Sequence, residues 1–338
     1  MVQASLGRIK FFTAYPTFAF GTKYMKEKNN CMKQTLFALL ALSMLAVSCQ
    51  KELSSTRKSN NLGSDPLATW AAAQPAPHKF TVQAGTQNMI AGAKGTRVVF
   101  PANAFVTQSG APVSGAVNIE FKELYEVWEM VLNNKFTQVG RTPIESGGEF
   151  FLRATQNGQE LKVAPGVSLT AVLPTRNPLP DMQVFTGSRF DSAGQSIFSW
   201  QLAANPAANS VTLGQDTLGV RSYIMQFNEL NWINCDRFLD EPIHETTARI
   251  ANHVSGEKPT VLLHLTGRKS IMWIWNAGDG VYKNLAPLGA ATFIAFVNRD
   301  GQLHATFQPV QLQAGQEYTL SLAPMAEAEF QQRLKDLN

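Results

Sequence analysis

Hydrophobic and polar positions alternate with several different periods along this chain, and each change of period marks a change of structure. Residues 36–47 are an apolar run interrupted by Ser43 alone, residues 50–79 are polar and then Ala/Pro-rich without periodicity, and short alternating segments follow. In residues 116–124 (AVNIEFKEL), Val117, Ile119 and Phe121 fall on one face with polar residues between them, the pattern of a half-buried strand. Further strands are predicted at 96–100, 149–155, 161–163 and 168–173. Shorter ones are predicted at 182–185, 197–202 and 210–213. A last group covers 223–227, 260–265, 270–275, 291–298, 303–310 and 317–322. Gln156-Asn157-Gly158-Gln159 and Asn298-Arg299-Asp300-Gly301 carry the Asn-Gly and Asp-Gly signals of tight hairpins. Residues 123–133 have helical character, and a short charged helix is expected within 325–337.

Many short strands with Gly/Pro turns predict an all-β chain of two immunoglobulin-like β-sandwich domains. The expected layout is a signal region at 1–48 and a flexible tether at 49–79. A sandwich at 80–175, a connecting β segment at 176–220 that pairs with one of the two domains, a second sandwich at 221–323 and a C-terminal helix at 324–338 complete it.

The apolar run has the form of an export signal. Lys33 precedes it, it is shorter than the roughly 20 residues a membrane span needs, and Leu45, Ala46, Val47 and Ser48 lead into Cys49. A secretory signal needs a basic start, about 7–15 apolar residues and small residues before the cut. The first 31 residues then read as an over-extended start, with Met32 or Met25 as the true one.

This segment also carries the charge. The chain is formally +4, but six of its 29 basic residues and one of its 25 acidic residues precede Cys49. The remainder has 23 basic and 24 acidic residues, a net of −1. Nucleic-acid binding needs clustered Lys/Arg, so no nucleic-acid partner is expected. Of three cysteines, Cys31 and Cys49 lie in the signal region or at its end. Cys235 is left in an apolar stretch, read as a small buried hydrophobe with no disulfide and no cysteine-based zinc site.

The run ending in Cys49 resembles the bacterial lipoprotein signal, the lipobox. The resemblance implies that the Cys49 thiol carries a diacylglycerol and becomes the first residue of the mature protein. Gln50-Lys51-Glu52 resembles the export tag of surface lipoproteins in Bacteroidota. Further motifs are Gly95-Thr96, residues 100–105 (FPANAF), 115–120, 146–150 (SGGEF), 154–161 (ATQNGQEL) and 230–238 (LNWINCDRF). Together they are similar to uncharacterised Bacteroidota cell-envelope lipoproteins. The earlier motifs are also similar to the β-sandwich of zonula occludens proteins and netrin receptors. The resemblance implies an outer-membrane lipoprotein held by its N-terminal lipid, with a binding or assembly role, and it transfers no catalytic residue.

Candidate chemistry is sparse. His244-Glu245 with His253 lacks a second histidine at the fifth position, which is Ala248, so no zincin site and no other metal or cofactor is expected. His264 lies in an apolar strand and reads as a core residue. Glu120, Glu123, Glu126 and Glu129 recur every three residues, and paired carboxylates would suit a hydrolase. Ser146-Gly147-Gly148 is not a nucleophile elbow and reads as a tight turn. Trp273 and Trp275, at i and i+2 of one predicted strand, would share a face and could stack on a glycan. The expectation is a non-enzymatic envelope protein whose partner is the membrane together with an envelope protein or glycan. A glycan-binding accessory role and a carboxylate hydrolase are the alternatives.

Overall fold

The computed structural model describes residues 65–192, 195–215 and 219–337. The signal region, Cys49 and most of the expected tether lie outside these residues. The described part is all-β apart from three helices, α1 (Pro66–Ala73), α2 (Val127–Leu132) and α3 (Glu327–Lys335).

The first sandwich is built from two sheets. One contains β1 (His78–Gln83), β5 (Ala116–Leu124), β7 (Thr142–Gln156), β14 (Asn231–Phe238), β10 (Gln183–Ser192) and β11 (Gln195–Leu202) in that spatial order. β4 (Phe105–Thr107), β6 (Gln138–Val139) and β8 (Gln159–Val163) attach to it. The facing sheet runs β12 (Ser210–Gln215), β13 (Arg221–Phe227), β9 (Leu169–Pro174), β3 (Arg97–Phe100) and β2 (Asn88–Ala91). Val117, Ile119 and Phe121 of β5 point into the core between the sheets with Phe150, Leu152, Met225 and Phe227, as their alternation predicts.

This sandwich extends past the boundary expected at residue 220. Residues 183–215 supply its strands β10, β11 and β12, while β13 is hydrogen-bonded between β9 and β12. β14 lies between β7 and β10. The second sandwich therefore starts at β15 (Ile243–Ile250). Local alternation marks strands but is silent on which sheet each one joins, and that choice is made by long-range pairing.

The second sandwich pairs β18 (Trp275–Gly278), β19 (Val281–Pro287), β15 and β22 (Glu317–Leu320) in one sheet. The other contains β17 (Ile271–Trp273), β16 (Thr260–Leu265), β20 (Gly289–Arg299), β21 (Gln302–Leu312) and β23 (Ala323–Pro324). The β20–β21 hairpin closes at Asp300-Gly301, both at positive φ (50° and 84°), as the sequence signal predicts. The β7–β8 hairpin does the same at Asn157-Gly158.

All six residues of β16 are buried. A sheet covered on one side alternates; one covered on both is apolar throughout. Val261, Leu263 and Leu265 face the second core, while Leu262 points the other way with Ile271, Ile294 and Phe296. That outer face is covered by the three helices, through Leu67, Trp70, Val127, Met130, Val131, Phe330 and Leu334. Phe330 is the hub: its ring lies 4.9 Å from Trp70, 5.0 Å from Phe296 and 5.1 Å from Phe307.

Helix α1 falls within the stretch expected to be tether. Asp65 caps it, its side chain accepting from Leu67 N at 3.0 Å, and Pro66 occupies the first helical position, where its missing N–H costs nothing. The helix stops at Ala73, one residue before the Gln74-Pro75 step that disfavours helix. Eight residues are too few to be stable alone. The docking of Leu67 and Trp70 holds them, with Trp70 Nε1 donating to Glu327 Oε1 at 2.7 Å.

Removing that anchor is expected to be costly. Trp70→Ala should lower the unfolding free energy by about 3–5 kcal/mol in urea titration, the range for deleting a buried aromatic. A loss below about 1 kcal/mol would show that α1 is peripheral.

Candidate functional site

The two sandwiches meet through main-chain hydrogen bonds as well as apolar packing. Thr137 N donates to Ile271 O at 2.8 Å, and Ile271 N returns a bond to Thr137 Oγ1 at 2.7 Å. Ser146 N donates to Lys269 O at 2.9 Å, Ser270 Oγ to Ile144 O at 2.8 Å, and Trp273 N to Gln138 Oε1. The β16–β17 corner of one sandwich is thus stitched to β6 and β7 of the other. The Lys269 and Glu126 side chains add an ion pair at 3.6 Å.

Beside this seam lies a cluster of buried ionisable side chains. Period-2 alternation turns Glu149 of β7 and Asn234 of β14, which pair across the strands, away from the sandwich core. Asp236, two residues on, turns to the same side by the same alternation, and a bulge in β7 between Ser146 and Glu149 sets it opposite Ser146. Asp236 is fully buried and Glu149 is 1% exposed. Asn234 Nδ2 donates to Asp236 Oδ2 at 2.6 Å, and Ser146 Oγ donates to Asn234 Oδ1 at 3.1 Å. Among the described residues, neither oxygen of Glu149 has a hydrogen-bond partner, nor does Oδ1 of Asp236. Lys135, 5% exposed, comes from the loop after α2, and its ammonium lies 3.9 Å from the Phe198 ring centre and 4.6 Å from that of Trp232.

Burial decides the protonation of this cluster. It drives the Asp236 carboxyl up to about 8, against the hydrogen bond from Asn234 and the nearby Ser146 hydroxyl. It raises Glu149 well above the carboxylate range, with the neighbouring Asp236 adding to the effect. It brings the Lys135 ammonium down to about 8, opposed by attraction to Glu149. Uncompensated buried charge is expensive, so the acids hold their protons near neutral pH. The cluster is enclosed by protein.

The candidates expected from sequence are dispersed. Glu120 and Glu123 lie on β5, while Glu126 and Glu129 lie at the start of α2. Glu123 accepts from Lys94 N at 2.9 Å and Thr96 N at 3.0 Å. Glu129 accepts from Tyr125 N at 2.9 Å and Glu126 N at 3.1 Å, and pairs with the Lys94 ammonium. Glu120 pairs with Arg153 at 3.2 Å. Glu123 and Glu129 both hold Lys94, one through its amide and one through its ammonium, and Glu120 links β5 to β7 through Arg153.

Trp273 and Trp275 belong to different sheets, β17 and β18, because the chain changes sheet at Ile274. Trp273 packs into the helical junction, 5.5 Å edge-on to Phe136, and Trp275 is half-buried opposite Lys283. The shared aromatic face expected of one continuous strand does not form.

His244 and Glu245 are neighbours on strand β15, not on a helix, and Glu245 pairs with Lys283 at 2.8 Å. No three metal-ligating side chains converge among the described residues. His264 is buried, with Nε2 3.1 Å from Arg268 O. Cys235 lies in the first core, where burial raises its thiol far above its usual range.

Ser146-Gly147-Gly148 is not a turn: β7 continues through it, with the bulge of its pairing to β14 falling between Ser146 and Glu149. A Cβ at Gly147 would fall 2.8 Å from the Tyr223 ring, and one at Gly148 would fall 2.5 Å from that of Tyr125. The glycines therefore permit close packing across the strand. The buried cluster went unread in the sequence, although alternation in EFFLRAT sets Glu149 opposite in direction to Phe150. The missing information was that a loop carrying Lys135 covers that outer face.

The sequence matches no protein-family model, and no curated protein is significantly similar to it.

The cluster predicts an unusual pH profile. Protonated Asp236 and Glu149 stabilise the fold fully below their ordinary carboxylate values, and that contribution is lost as pH rises through about 8 for Asp236. Neutral Lys135 stabilises fully above 10.5, and its contribution is lost as pH falls to about 8. Unfolding free energies from urea titrations should decline toward about pH 8 and recover above it, and Asp236→Asn should flatten the acid limb. Stability that rises between about pH 5 and 8 would contradict this assignment.

Proposed function

We propose that this chain is a lipid-anchored cell-envelope protein, held at the outer membrane through Cys49, with a non-enzymatic binding or assembly role. The observation that carries the reading is the apolar run at 36–47 leading through Leu45-Ala46-Val47-Ser48 to Cys49. A polar stretch beginning Gln50-Lys51-Glu52 follows, which favours a surface-facing or periplasmic body on a tether. The near-neutral charge after Cys49 supports a scaffold over a polyanion binder.

The folded part is consistent with a rigid binding body. Its two sandwiches are joined by a buried, hydrogen-bonded seam, and the carboxylates considered for hydrolysis are committed to backbone amides and lysine or arginine partners. Among the described residues, no helix is long and apolar enough to cross a membrane. In this reading the attachment comes from lipid. Two or three acyl chains, each CH₂ worth about 0.8 kcal/mol when buried, would anchor it stably.

Expression of the full chain in a diderm host with a radiolabelled fatty acid tests the reading. The parent should incorporate label and sediment with outer membrane, and Cys49→Ala should lose both. Unchanged membrane fractionation of Cys49→Ala without label in the parent would overturn the proposal.

A further inference from the structure

A strand at the edge of a sheet exposes a row of unpaired amide and carbonyl groups, and proteins blunt such edges by keeping them short, charged or covered. The edges of this molecule divide on that criterion. β2, β17, β18, β22 and β23 run four residues or fewer. β1 carries His78 and Lys79. β11 is covered by the segment around β6, with Gly140 N donating to Ser199 Oγ at 3.4 Å. β12 has none of these devices. Its sequence, SVTLGQ, holds six residues without a charge or a proline, and among the described residues it pairs with β13 alone. Leu213 at its centre is 59% exposed.

We propose that β12 is a self-association edge, on which a second copy of this chain adds its own β12 antiparallel about a twofold axis. Three observations fit a second copy. The strand carries no charge, so self-pairing sets no like charges opposite one another. The register that places Thr212 opposite its own copy pairs Val211 with Leu213 twice. Because side chains alternate with period 2, both apolar pairs then fall on one face. That face is the apolar one: Val211 and Leu213 stand beside Met225 and Tyr223 of the first core. A cleft of about 330 Å³ opens along it, lined by Asp181 and Gln183 as well as by Leu179, Met182, Val211 and Leu213. The second copy brings its own Leu213 to the mouth of this cleft, and two five-stranded sheets become one continuous sheet. Such an isologous contact is closed, so it yields a dimer and not a fibre. It involves no residue of the anchor, so it stands or falls separately from lipidation.

Site-specific cross-linking of the detergent-solubilised full chain tests the pairing. Thr212→Cys should form several-fold more disulfide-linked dimer under mild oxidation than Val254→Cys, which is also exposed but lies on the other sandwich. By light scattering the parent should run as a dimer and Leu213→Lys as a monomer. Circular dichroism of Leu213→Lys should match the parent, since the side chain is solvent-exposed. Equal cross-linking at Thr212→Cys and Val254→Cys overturns the proposal, as does a Leu213→Lys chain that stays dimeric. A monomeric parent overturns it too, and leaves the edge open to a strand of another protein.

Discussion

The sheet β17-β16-β20-β21-β23 is apolar on both faces, and a sandwich can keep water from only one of them. Leu262, Ile271, Ile294 and Phe296 on its outer face would be exposed if the second sandwich stood alone. Burying such side chains contributes about 1.5–3 kcal/mol each, so the outer face is a large driving force that the second sandwich cannot satisfy alone. Three helices drawn from the N-terminal end, the middle and the C-terminal end of the folded region satisfy it together. The first sandwich supplies α2 through the excursion between β5 and β7, so the covering of one domain is an insertion in the other. From this constraint follow the seam at Thr137 and Ile271, the fixed placement of the α2 loop and the enclosure of whatever lies beneath that loop.

What lies beneath it is polar. Glu149, Asp236 and Lys135 sit where the outer face of the first sandwich is sealed off, and the seal removes the water that would otherwise solvate them. A buried ion pair offsets its desolvation only with close geometry and further hydrogen bonds. Here the Lys135 ammonium is held by aromatic rings and Glu149 has no hydrogen-bond partner among the described residues, so the system shifts toward neutral forms. The cluster is a destabilising element retained inside a strongly stabilised seam, and its cost depends on pH in a way that apolar packing does not.

Much of the fold is legible in the chain. Alternation in β5, the Asn157-Gly158 and Asp300-Gly301 hairpins and the largely apolar β16 each give their local structure directly. Sheet membership is not local. β13 and β14 look the same whichever sandwich owns them, and only pairing with β9 and β7 assigns them to the first. Helix α1 was hidden for a different reason, since its eight residues have no stability of their own and its Leu67 and Trp70 acquire meaning only against Phe296 and Phe330. The tryptophan pair misleads because strand periodicity presumes one strand, and the chain changes sheet between Trp273 and Trp275. The buried acids escape for the opposite reason. Their alternation is regular, but polar residues facing outward look solvated until something from elsewhere in the sequence covers them.

Native-state hydrogen exchange at the seam tests the central claim most directly. If the shared outer face binds the two sandwiches into one cooperative unit, the amides of Thr137, Ile271 and Ser146 exchange only through global unfolding. Their protection should then equal that of core amides such as Phe121 and Phe293, and urea should abolish all of them in one transition. Two separate transitions, with the seam amides exchanging in the first, would contradict it and make the sandwiches independent domains in contact.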